Sequence, residues 1–308
     1  MTIRVERGTI ELVQARHREP AGQRIRAVSV VIPAYNEGPH VAAGVTAVRS
    51  ILERSGWDFE ILVVDDGSSD GTAEAAAGTG VRVLRHSFNR GYGAALKEGI
   101  SRARHDWILI TDADGTYPPE SIPELLALAD DNDLVVGART GAEVRVPLVR
   151  RPAKWFLGRL ASYLAGRHLP DLNSGLRLMR RDVVERYAHL LPSGFSFTTT
   201  ITLAMTCNDH PVEYVPINYG ARLGHSKIRP RNAYDFLILI LRTIVFFNPL
   251  KVFVPLGGAV ALLGIGKFIY DVARDNLSES AVLALLGALI IWAVGLLADQ
   301  NARIAAAR

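Results

Sequence analysis

The chain has 308 residues, a formal net charge of +4 and a single cysteine, Cys207; hydrophobic residues make up 49% and charged residues 21%. This length allows one large domain with an appendage, or two domains. The lone cysteine excludes an internal disulfide and suits a reducing compartment. The basic balance suits phosphate-bearing or anionic-membrane partners, and we do not predict nucleic acid as a partner. Residues 1–26 lack the apolar core of a signal peptide, and we predict there an extension with one short strand and no assigned function.

Apolar, β-branched runs alternate with segments of helical spacing from residue 28 onwards. Five predicted strands, each given with the polar residues that follow it, lie at 28–36, 59–72, 81–91, 106–114 and 133–140. Continuous apolar strands that alternate with helices are typical of a parallel sheet covered on both faces. We therefore predict an α/β domain over 27–232, with a further edge strand and a loop within 210–231.

The C-terminal quarter of the sequence is much more apolar than the rest. Residues 233–251 are apolar but interrupted by charges, and we predict a juxtamembrane amphipathic segment. Residues 252–270 contain one charge, Lys267, and residues 281–298 contain none. Because about 20 apolar residues span a bilayer, we predict a transmembrane hairpin over 252–298. A pair of buried core helices is the alternative, and apolarity on all sides of both segments argues against it.

Charges on either side of the predicted hairpin indicate its orientation. The linker 271–280 has three acidic residues against one arginine. Basic residues lie on the other side of the membrane, before and after the hairpin: Arg229, Arg231, Arg242, Lys251, Arg303 and Arg308. Positive residues stay in the cytoplasm. We therefore predict a two-span protein of the cell membrane with the α/β domain, the tail 299–308 and both termini inside.

Polar residues follow every predicted strand, and in an open α/β sheet these carboxyl ends form the ligand-binding edge. Asp112 and Asp114 follow a strongly apolar run, and two acids one residue apart favour Mg²⁺ or Mn²⁺ completed by phosphate oxygens. Such a pair also occurs by chance as a solvated turn, but its place after a buried strand favours the metal. Asp65 leaves its strand at the same edge and is a candidate acceptor for a base or ribose. Arg139 follows the fifth strand and is a candidate phosphate ligand.

Three other features carry less information. Gly91 and Gly93 are followed by no third glycine at the spacing of a dinucleotide fingerprint, and we predict that they let a helix start pass close to a ligand. Ser69 or Asp70 is a candidate cap for the helix that follows the second strand. Histidines, His86 among them, form no recognisable catalytic group.

Seven motifs, in order, resemble the family 2 glycosyltransferases of GT-A fold: VVIPAYNE, VVDDGSSDGT, NRGYGAALKEG, TDADGTYPPE, VVGAR, DLNSGLR and RLGHSK. Within that family the chain resembles the branch of dolichol-phosphate mannose synthases and polyprenyl-phosphate glycosyltransferases. The C-terminal hairpin is similar to that of bacterial polyprenyl-phosphate glucosyltransferases. The resemblance implies a mostly parallel, Rossmann-like sheet followed by the hairpin.

The resemblance also implies roles for individual residues. The donor nucleotide would be bound by Pro33, Tyr35, Glu37, Asp65, Asp112, Arg222 and Lys227. The metal, Mg²⁺ or Mn²⁺, would be held by Asp112 and Asp114. The acceptor phosphate would be contacted by Arg139, Arg151, Lys154 and Ser174. The catalytic set would be Asp114, Arg139, Asp171 and Arg177.

The activity implied is inverting transfer of a hexose from a nucleotide diphosphate sugar to a polyprenyl phosphate, either undecaprenyl or dolichyl. A UDP-hexose is favoured, because Thr116 stands where the mannose synthases often have a metal-assisting glutamine. GDP-mannose is the alternative donor. A processive polysaccharide synthase would need more membrane spans and a Gln-x-x-Arg-Trp motif, and a non-enzymatic membrane anchor would have a degraded site. The oligomeric state stays open, a homo-oligomer included.

Overall fold

The computed structural model describes residues 2–6, 9–13, 26–140, 158–163, 165–220, 231–274 and 278–306. The N-terminal extension contains two strands, β1 at Thr2–Glu6 and β2 at Thr9–Val13, which pair antiparallel. The expectation of one strand was therefore wrong. A lone strand would leave its backbone donors and acceptors without partners, whereas the pair satisfies them.

The central sheet has seven strands. They are β3 (Ala27–Ala34), β4 (Asp58–Asp65), β5 (Arg82–Arg85), β6 (Trp107–Ile110), β7 (Leu134–Ala138), β8 (Arg177–Arg180) and β9 (Val212–Pro216). Their order across the sheet is β5-β4-β3-β6-β8-β7-β9. All neighbours pair parallel except that β8 runs antiparallel to both β6 and β7. The predicted mostly parallel sheet, its five early strands and the edge position of β9 are confirmed.

Strand β8 was not predicted. Its four residues begin and end in arginine, so its sequence lacks the apolar run of the other central strands. This segment is a strand because of pairing with distant parts of the chain: β8 lies between β6 and β7 and forms backbone hydrogen bonds with both.

Helices cover both faces of the sheet. They are α1 (Gly38–Leu52), α2 (Thr72–Ala77), α3 (Tyr92–Arg102), α4 (Ile122–Ala127), α5 (Arg181–Arg186) and α6 (Phe197–Cys207). Alternate residues of β3 face opposite sides, as strand geometry requires. Val30 packs into a core shared with α1 and α4, whereas Val31 packs into a core shared with α3 and α6.

Three helices end the chain: α7 (Arg231–Phe247), α8 (Leu250–Val272) and α9 (Glu279–Ala306). On α7, Ile240 and Ile244 are fully buried against the α/β domain, while Ile238 and Phe246 are exposed. Helix α7 thus joins the domain through one face and leaves other apolar side chains uncovered; its juxtamembrane placement stays a prediction.

Helices α8 and α9 pack on each other as a hairpin through small residues. Gly257 lies against Trp292, and Gly295 lies against Phe253. In the part of the chain that the structure describes, these two helices are long and apolar enough to cross a membrane. Only 11% and 17% of their most apolar windows are buried, so they are not core helices of a soluble protein.

Candidate active site

The candidate site lies at the carboxyl ends of β3, β4 and β6. The chain runs outward from β3 to β4 and β5, then returns to place β6 on the other side of β3. This reversal is the topological switch point at which open α/β sheets bind ligands. By this topology we expect the ligand-binding crevice at the exits of β3 and β6, and the predicted donor and metal residues follow these strands and β4.

The loops after β3 and β4 are joined to each other by hydrogen bonds. The backbone N–H of Asn36 donates to Ser68 Oγ at 2.9 Å, and the Ser69 N–H donates back to Asn36 Oδ1 at 3.0 Å. The Glu37 N–H donates to Thr72 Oγ1 at 2.9 Å. Asn36 adopts φ 55°, a left-handed conformation that asparagine tolerates better than most residues. These bonds fix the loop that carries the predicted donor residues.

Asp70 joins two helices rather than capping one. Its carboxylate accepts from the Gly38 N–H, at the start of α1, at 3.0 Å and from the Thr72 N–H, at the start of α2, at 3.2 Å. The pKa of Asp70 is lowered: burial opposes the charge, but the hydrogen bonds from Thr72 and Gly38 outweigh burial. The predicted cap was therefore wrong: the N-cap of α2 is Gly71, and Asp70 lies one residue earlier and bonds to the first N–H group of both helices.

Asp65 is fully buried at the end of β4, below the crevice. Its Oδ1 accepts from the Ser68 N–H at 3.1 Å. Its Oδ2 lies 3.2 Å from Arg85 Nε, an ion pair without hydrogen-bond geometry, so this oxygen has no hydrogen-bond donor among the described residues. Asp65 is thus buried and held by Ser68 and Arg85, and its contact with a base or ribose stays a prediction.

The neighbouring acid, Asp66, has a buried histidine partner that sequence reasoning missed. His86 Nδ1 lies 2.7 Å from Asp66 Oδ1, and the N–H groups of Arg90 and Gly91 donate to the same carboxylate at 2.9 and 2.8 Å. His86 thus belongs to a buried structural pair, which leaves the expectation that the histidines form no catalytic group as a prediction. Nothing local could reveal the pair, because the two residues lie on different strand exits. Beside it is an open cavity of about 390 Å³, lined by Gly67, Ser68, Arg85, His86 and Ser87.

Asp112 and Asp114 are half-buried just beyond β6, and each carboxylate is held by a hydroxyl. The Tyr92 hydroxyl donates to Asp112 Oδ1 at 3.0 Å. The Thr116 N–H and Oγ1 donate to Asp114 Oδ1 at 3.1 and 2.6 Å. Burial raises the pKa of Tyr92 well above its usual range, so it stays a neutral donor. Thr116, which stands where the mannose synthases often have a glutamine, therefore orients Asp114.

The carboxylate pair fits a hard divalent cation by its donor chemistry. Carboxylate oxygens are the ligands that Mg²⁺ and Mn²⁺ prefer, with phosphate and water completing the shell. Among the described residues, no group of three or more His, Cys, Asp and Glu side chains is arranged to hold a metal by itself. Asp112 and Asp114 would therefore supply part of a metal site, and the donor diphosphate would supply the rest.

Arg139 and Asp171 form a bidentate ion pair at the exit of β7. Arg139 Nε donates to Asp171 Oδ2 at 2.7 Å, and a terminal nitrogen donates to Oδ1 at 2.9 Å. Burial disfavours the Asp171 charge, but the bonds from Arg139 prevail and lower the pKa of Asp171. The guanidinium also lies 5.4 Å from the centre of the Tyr219 ring. The structure thus brings together two predicted catalytic residues that are 32 positions apart.

Two other predicted residues are buried below the crevice. Ser174 is fully buried, and its hydroxyl donates to the Gly137 carbonyl at 2.5 Å. Arg177 is also fully buried and donates to the Ser174 and Thr198 carbonyls and to Thr202 Oγ1. In this geometry both residues tie the segment after Asp171 to its neighbours. Their predicted contacts with acceptor or sugar stay predictions, and the bonds made here favour a structural role.

Gly91 and Gly93 approach the protein's own backbone rather than a ligand. A Cβ at Gly91, where φ is 102°, would lie 2.5 Å from the Ser193 carbonyl oxygen. A Cβ at Gly93 would lie 2.2 Å from the Pro192 carbonyl oxygen. The interpretation of these glycines as a ligand approach was therefore wrong. Their role is to let α3 begin against the turn at 192–194.

The remaining predicted residues divide into two groups. Pro33 is buried at the end of β3, followed by the exposed Tyr35 and the half-buried Glu37 at the crevice. Four predicted cationic contacts lie outside the described residues: Arg151, Lys154, Arg222 and Lys227. An exposed aromatic, Phe195, was missed; it stacks on Tyr92 at 5.5 Å between ring centres and so flanks Asp112.

Comparison with solved structures agrees with this fold. Glucosyl-3-phosphoglycerate synthase from Mycobacterium tuberculosis shares the fold, with a TM-score of 0.57 at 20% identity over 71% of this chain and 78% of that one. Mannosyl-3-phosphoglycerate synthase from Rubrobacter xylanophilus gives a TM-score of 0.55 at 23% identity over 71% and 72%. The fold is therefore that of GT-A glycosyltransferases, as expected.

Sequence comparison identifies the family. The family model described as "Glycosyl transferase family 2" matches residues 29–188, and "GtrB C-terminal hairpin" matches residues 248–304. The chain belongs to glycosyl transferase family 2. It is 33% identical over 254 residues to an undecaprenyl-phosphate 4-deoxy-4-formamido-L-arabinose transferase of Enterobacter sp. (strain 638), covering 79% of this chain and 74% of the relative. The Klebsiella pneumoniae protein of the same name is 33% identical over 252 residues, covering 78% and 74%.

Proposed function

We propose that the chain transfers a sugar from a nucleotide diphosphate sugar to a polyprenyl phosphate at the membrane surface. One observation carries this proposal: a single chain joins an acidic crevice at the switch point of a GT-A sheet to a hairpin of membrane-spanning length. A soluble acceptor would not require the hairpin. The two curated relatives, which are named for transfer involving undecaprenyl phosphate, support the lipid acceptor.

On the donor side, the chain's own residues bind and orient the nucleotide and diphosphate. Tyr35 is exposed just after β3, and Asp65 is buried at the end of the neighbouring strand β4. A Mg²⁺ or Mn²⁺ ion bound by Asp112 and Asp114 would offset charge on the leaving diphosphate. In support, the mycobacterial protein of the same fold was crystallised with Mn²⁺ and UDP. Tyr92 and Thr116 keep the two carboxylates in place by hydrogen bonds.

On the acceptor side, the reaction needs a positioned phosphate rather than a strong base. A phosphate monoester is already ionised at pH 7, so its oxygen can attack the anomeric carbon directly. The bond from that carbon to the diphosphate breaks as the new one forms, and in-line displacement inverts the configuration. Arg139 would contact the acceptor phosphate with N–H groups that Asp171 leaves available, since a guanidinium has five donors. Asp171 would hold Arg139 in position.

The identity of the sugar is the finer part of the proposal. We favour a UDP-hexose, with GDP-mannose as the alternative. The relatives' names suggest a third donor class, a modified pentose. A processive synthase is not favoured, because the described residues contain two membrane-length helices rather than the several that a channel needs.

Acceptor-dependent release of nucleoside diphosphate tests this function. The full chain in detergent should release UDP from a UDP-hexose only when a polyprenyl phosphate is added. GDP-mannose and a UDP-linked 4-formamido-pentose are the comparison donors, and a response to either alone would replace the UDP-hexose. Equal release with and without lipid acceptor, for every donor, would contradict transfer to a lipid.

A further inference from the structure

Tyr219 lies on the segment that follows β9 and packs against the proposed acceptor arginine. Strand β9 ends at Pro216, and the Ile217 N–H donates to the Ala138 carbonyl at 2.8 Å, so the segment stays beside the exit of β7. Further along it, the Tyr219 ring lies against the guanidinium of Arg139, with 5.4 Å between Cζ and the ring centre. The segment therefore brings an aromatic face to the place where the acceptor phosphate is proposed to bind.

The ion pair with Asp171 holds only one edge of the Arg139 guanidinium. Nε and one terminal nitrogen donate to the carboxylate, and a guanidinium has five N–H donors in all. A planar group held along one edge can still swing together with its carboxylate. Contact with an aromatic face restricts that motion, because the guanidinium is attracted to the negative face of the ring. The Arg139 side chain is 22% exposed, so it is held on two sides and accessible elsewhere.

Tyr219 is itself held by the turn that follows the two predicted metal carboxylates. Its ring packs edge to face on Tyr117, with 5.1 Å between ring centres and an interplanar angle of 70°. Tyr117 is only 4% exposed, and its hydroxyl accepts from the Gly175 N–H at 2.6 Å. The Gly220 N–H donates to the Thr116 carbonyl at 3.0 Å and joins the two segments a second time. These contacts fix the Tyr219 ring relative to the turn.

The stretch 171–175 connects the same contacts to the metal side. It begins at Asp171, the partner of Arg139, and ends at Gly175, where a Cβ would lie 2.9 Å from both carboxylate oxygens of Asp112. The charges of Asp112 and Arg139 both act on the Tyr117 hydroxyl, so this group lies close to both halves of the site. The aromatic pair thus fixes the distance between the acceptor arginine and the metal carboxylates.

We propose that Tyr219 is a positioning residue for transfer: its ring holds the Arg139 guanidinium in the orientation that receives the acceptor phosphate. This inference rests on the proposed function, in which Arg139 contacts that phosphate. A merely structural tyrosine would only fill space between two segments. A positioning ring acts through its aromatic face, so phenylalanine should replace it and an aliphatic side chain should not. Nucleotide and metal are bound by other residues, and their binding should not depend on the ring.

The test compares Tyr219→Leu with Tyr219→Phe in the full chain. Tyr219→Leu should raise the KM for the polyprenyl phosphate about tenfold, as expected for loss of a partly desolvated cation–π contact, and leave the KM for the donor unchanged. Tyr219→Phe should keep both KM values. Tyr270→Leu is the matched control, because the Tyr270 ring also lies against an arginine, 5.0 Å from Arg274 Cζ, but near the end of α8. That control should keep wild-type kinetics.

A second measurement follows Arg139 without using catalysis. Phenylglyoxal reacts with accessible arginine side chains, and peptide mass spectrometry locates the modified residues. Tyr219→Leu should increase the rate of Arg139 modification severalfold, whereas Tyr219→Phe should not. If Tyr219→Leu fails to fold, Tyr219→Met takes its place, since methionine keeps a long apolar side chain without a ring.

Each outcome decides for or against the positioning role. An unchanged acceptor KM in Tyr219→Leu, or an equal rise for acceptor and donor, would overturn it. So would an equal rise in Tyr219→Phe, which would show that the hydroxyl acts rather than the ring face. An unchanged rate of Arg139 modification in Tyr219→Leu would overturn it as well. If the wild type transfers no sugar to polyprenyl phosphate, the proposed function fails, and the modification rates alone decide whether the ring holds Arg139.

Discussion

Replacing Asp114 with asparagine removes the negative charge of this residue but keeps its size and its hydrogen-bond acceptor. The Thr116 N–H and hydroxyl both donate to Asp114 Oδ1, at 3.1 and 2.6 Å. An asparagine oxygen in the same position accepts both bonds, so the turn after β6 should keep its shape. What disappears is one negative charge at a half-buried site, and a hard divalent cation depends on that charge.

The expected loss of activity follows from the stabilisation that a bound metal would give to the charge on the leaving diphosphate. Such stabilisation is worth several kcal/mol, and about 1.36 kcal/mol corresponds to a tenfold change in rate. Asp114→Asn should therefore lower transfer on the order of a thousandfold or more. The melting temperature without ligands should stay close to that of the wild type.

The assay is acceptor-dependent release of nucleoside diphosphate across a Mn²⁺ and Mg²⁺ titration. Asp106→Asn is the matched control, since Asp106 precedes the same strand and its side chain is 96% exposed. That control should keep full activity. Near-normal transfer by Asp114→Asn, or a wild-type enzyme that chelators do not inhibit, would refute the assignment of this carboxylate pair to a metal.

Four further predictions concern the acceptor, the fold and the membrane. Arg139→Ala should raise the KM for the polyprenyl phosphate more than that for the donor, and it should also lower stability, because Asp171 would be left buried without its partner; equal effects on both KM values would assign Arg139 to the donor site. Because the pKa of Asp171 is lowered, its charge stabilises the fold above the ordinary Asp pKa of about 3.9 and ceases to do so as pH falls through the lowered value. The free energy of unfolding should therefore exceed that of Asp171→Asn by a constant amount at pH 5–7, and the difference should shrink in acid; a constant difference down to pH 3 would contradict the ion pair. Gly91→Ala should lower the melting temperature by about 3 °C or more, because φ is positive there and a Cβ would lie 2.5 Å from a carbonyl oxygen, whereas Gly158→Ala, with open space around it, should not. Ser280→Cys, in a background without the native cysteine, should react with an impermeant thiol reagent from outside intact cells, and labelling only after lysis would reverse the predicted topology.

The sequence by itself determined the features that depend on local pattern. Four of the five early strands follow from continuous apolar runs, and β5, with the short sequence RVLR, follows from its place in the alternation of strands and helices. The acids after β4 and β6 follow from where those runs stop. The hairpin follows from two long apolar segments and needs no knowledge of the rest. The pair of acids at Asp112 and Asp114 was visible for the same reason, since both lie within three residues of one another in the chain.

Tertiary structure decided whatever depends on contacts between distant segments. Strand β8 has a short, charged sequence, and only its position between β6 and β7 makes it a strand. Asp171 becomes the partner of Arg139 although the two lie 32 positions apart, and His86 becomes the partner of Asp66 although the two lie 20 positions apart. Gly91 looked like a ligand-binding glycine until the fold brought the turn at 192–194 against it. In each case the deciding free energy comes from satisfying buried polar groups and close packing, and neither is encoded in the neighbours along the chain.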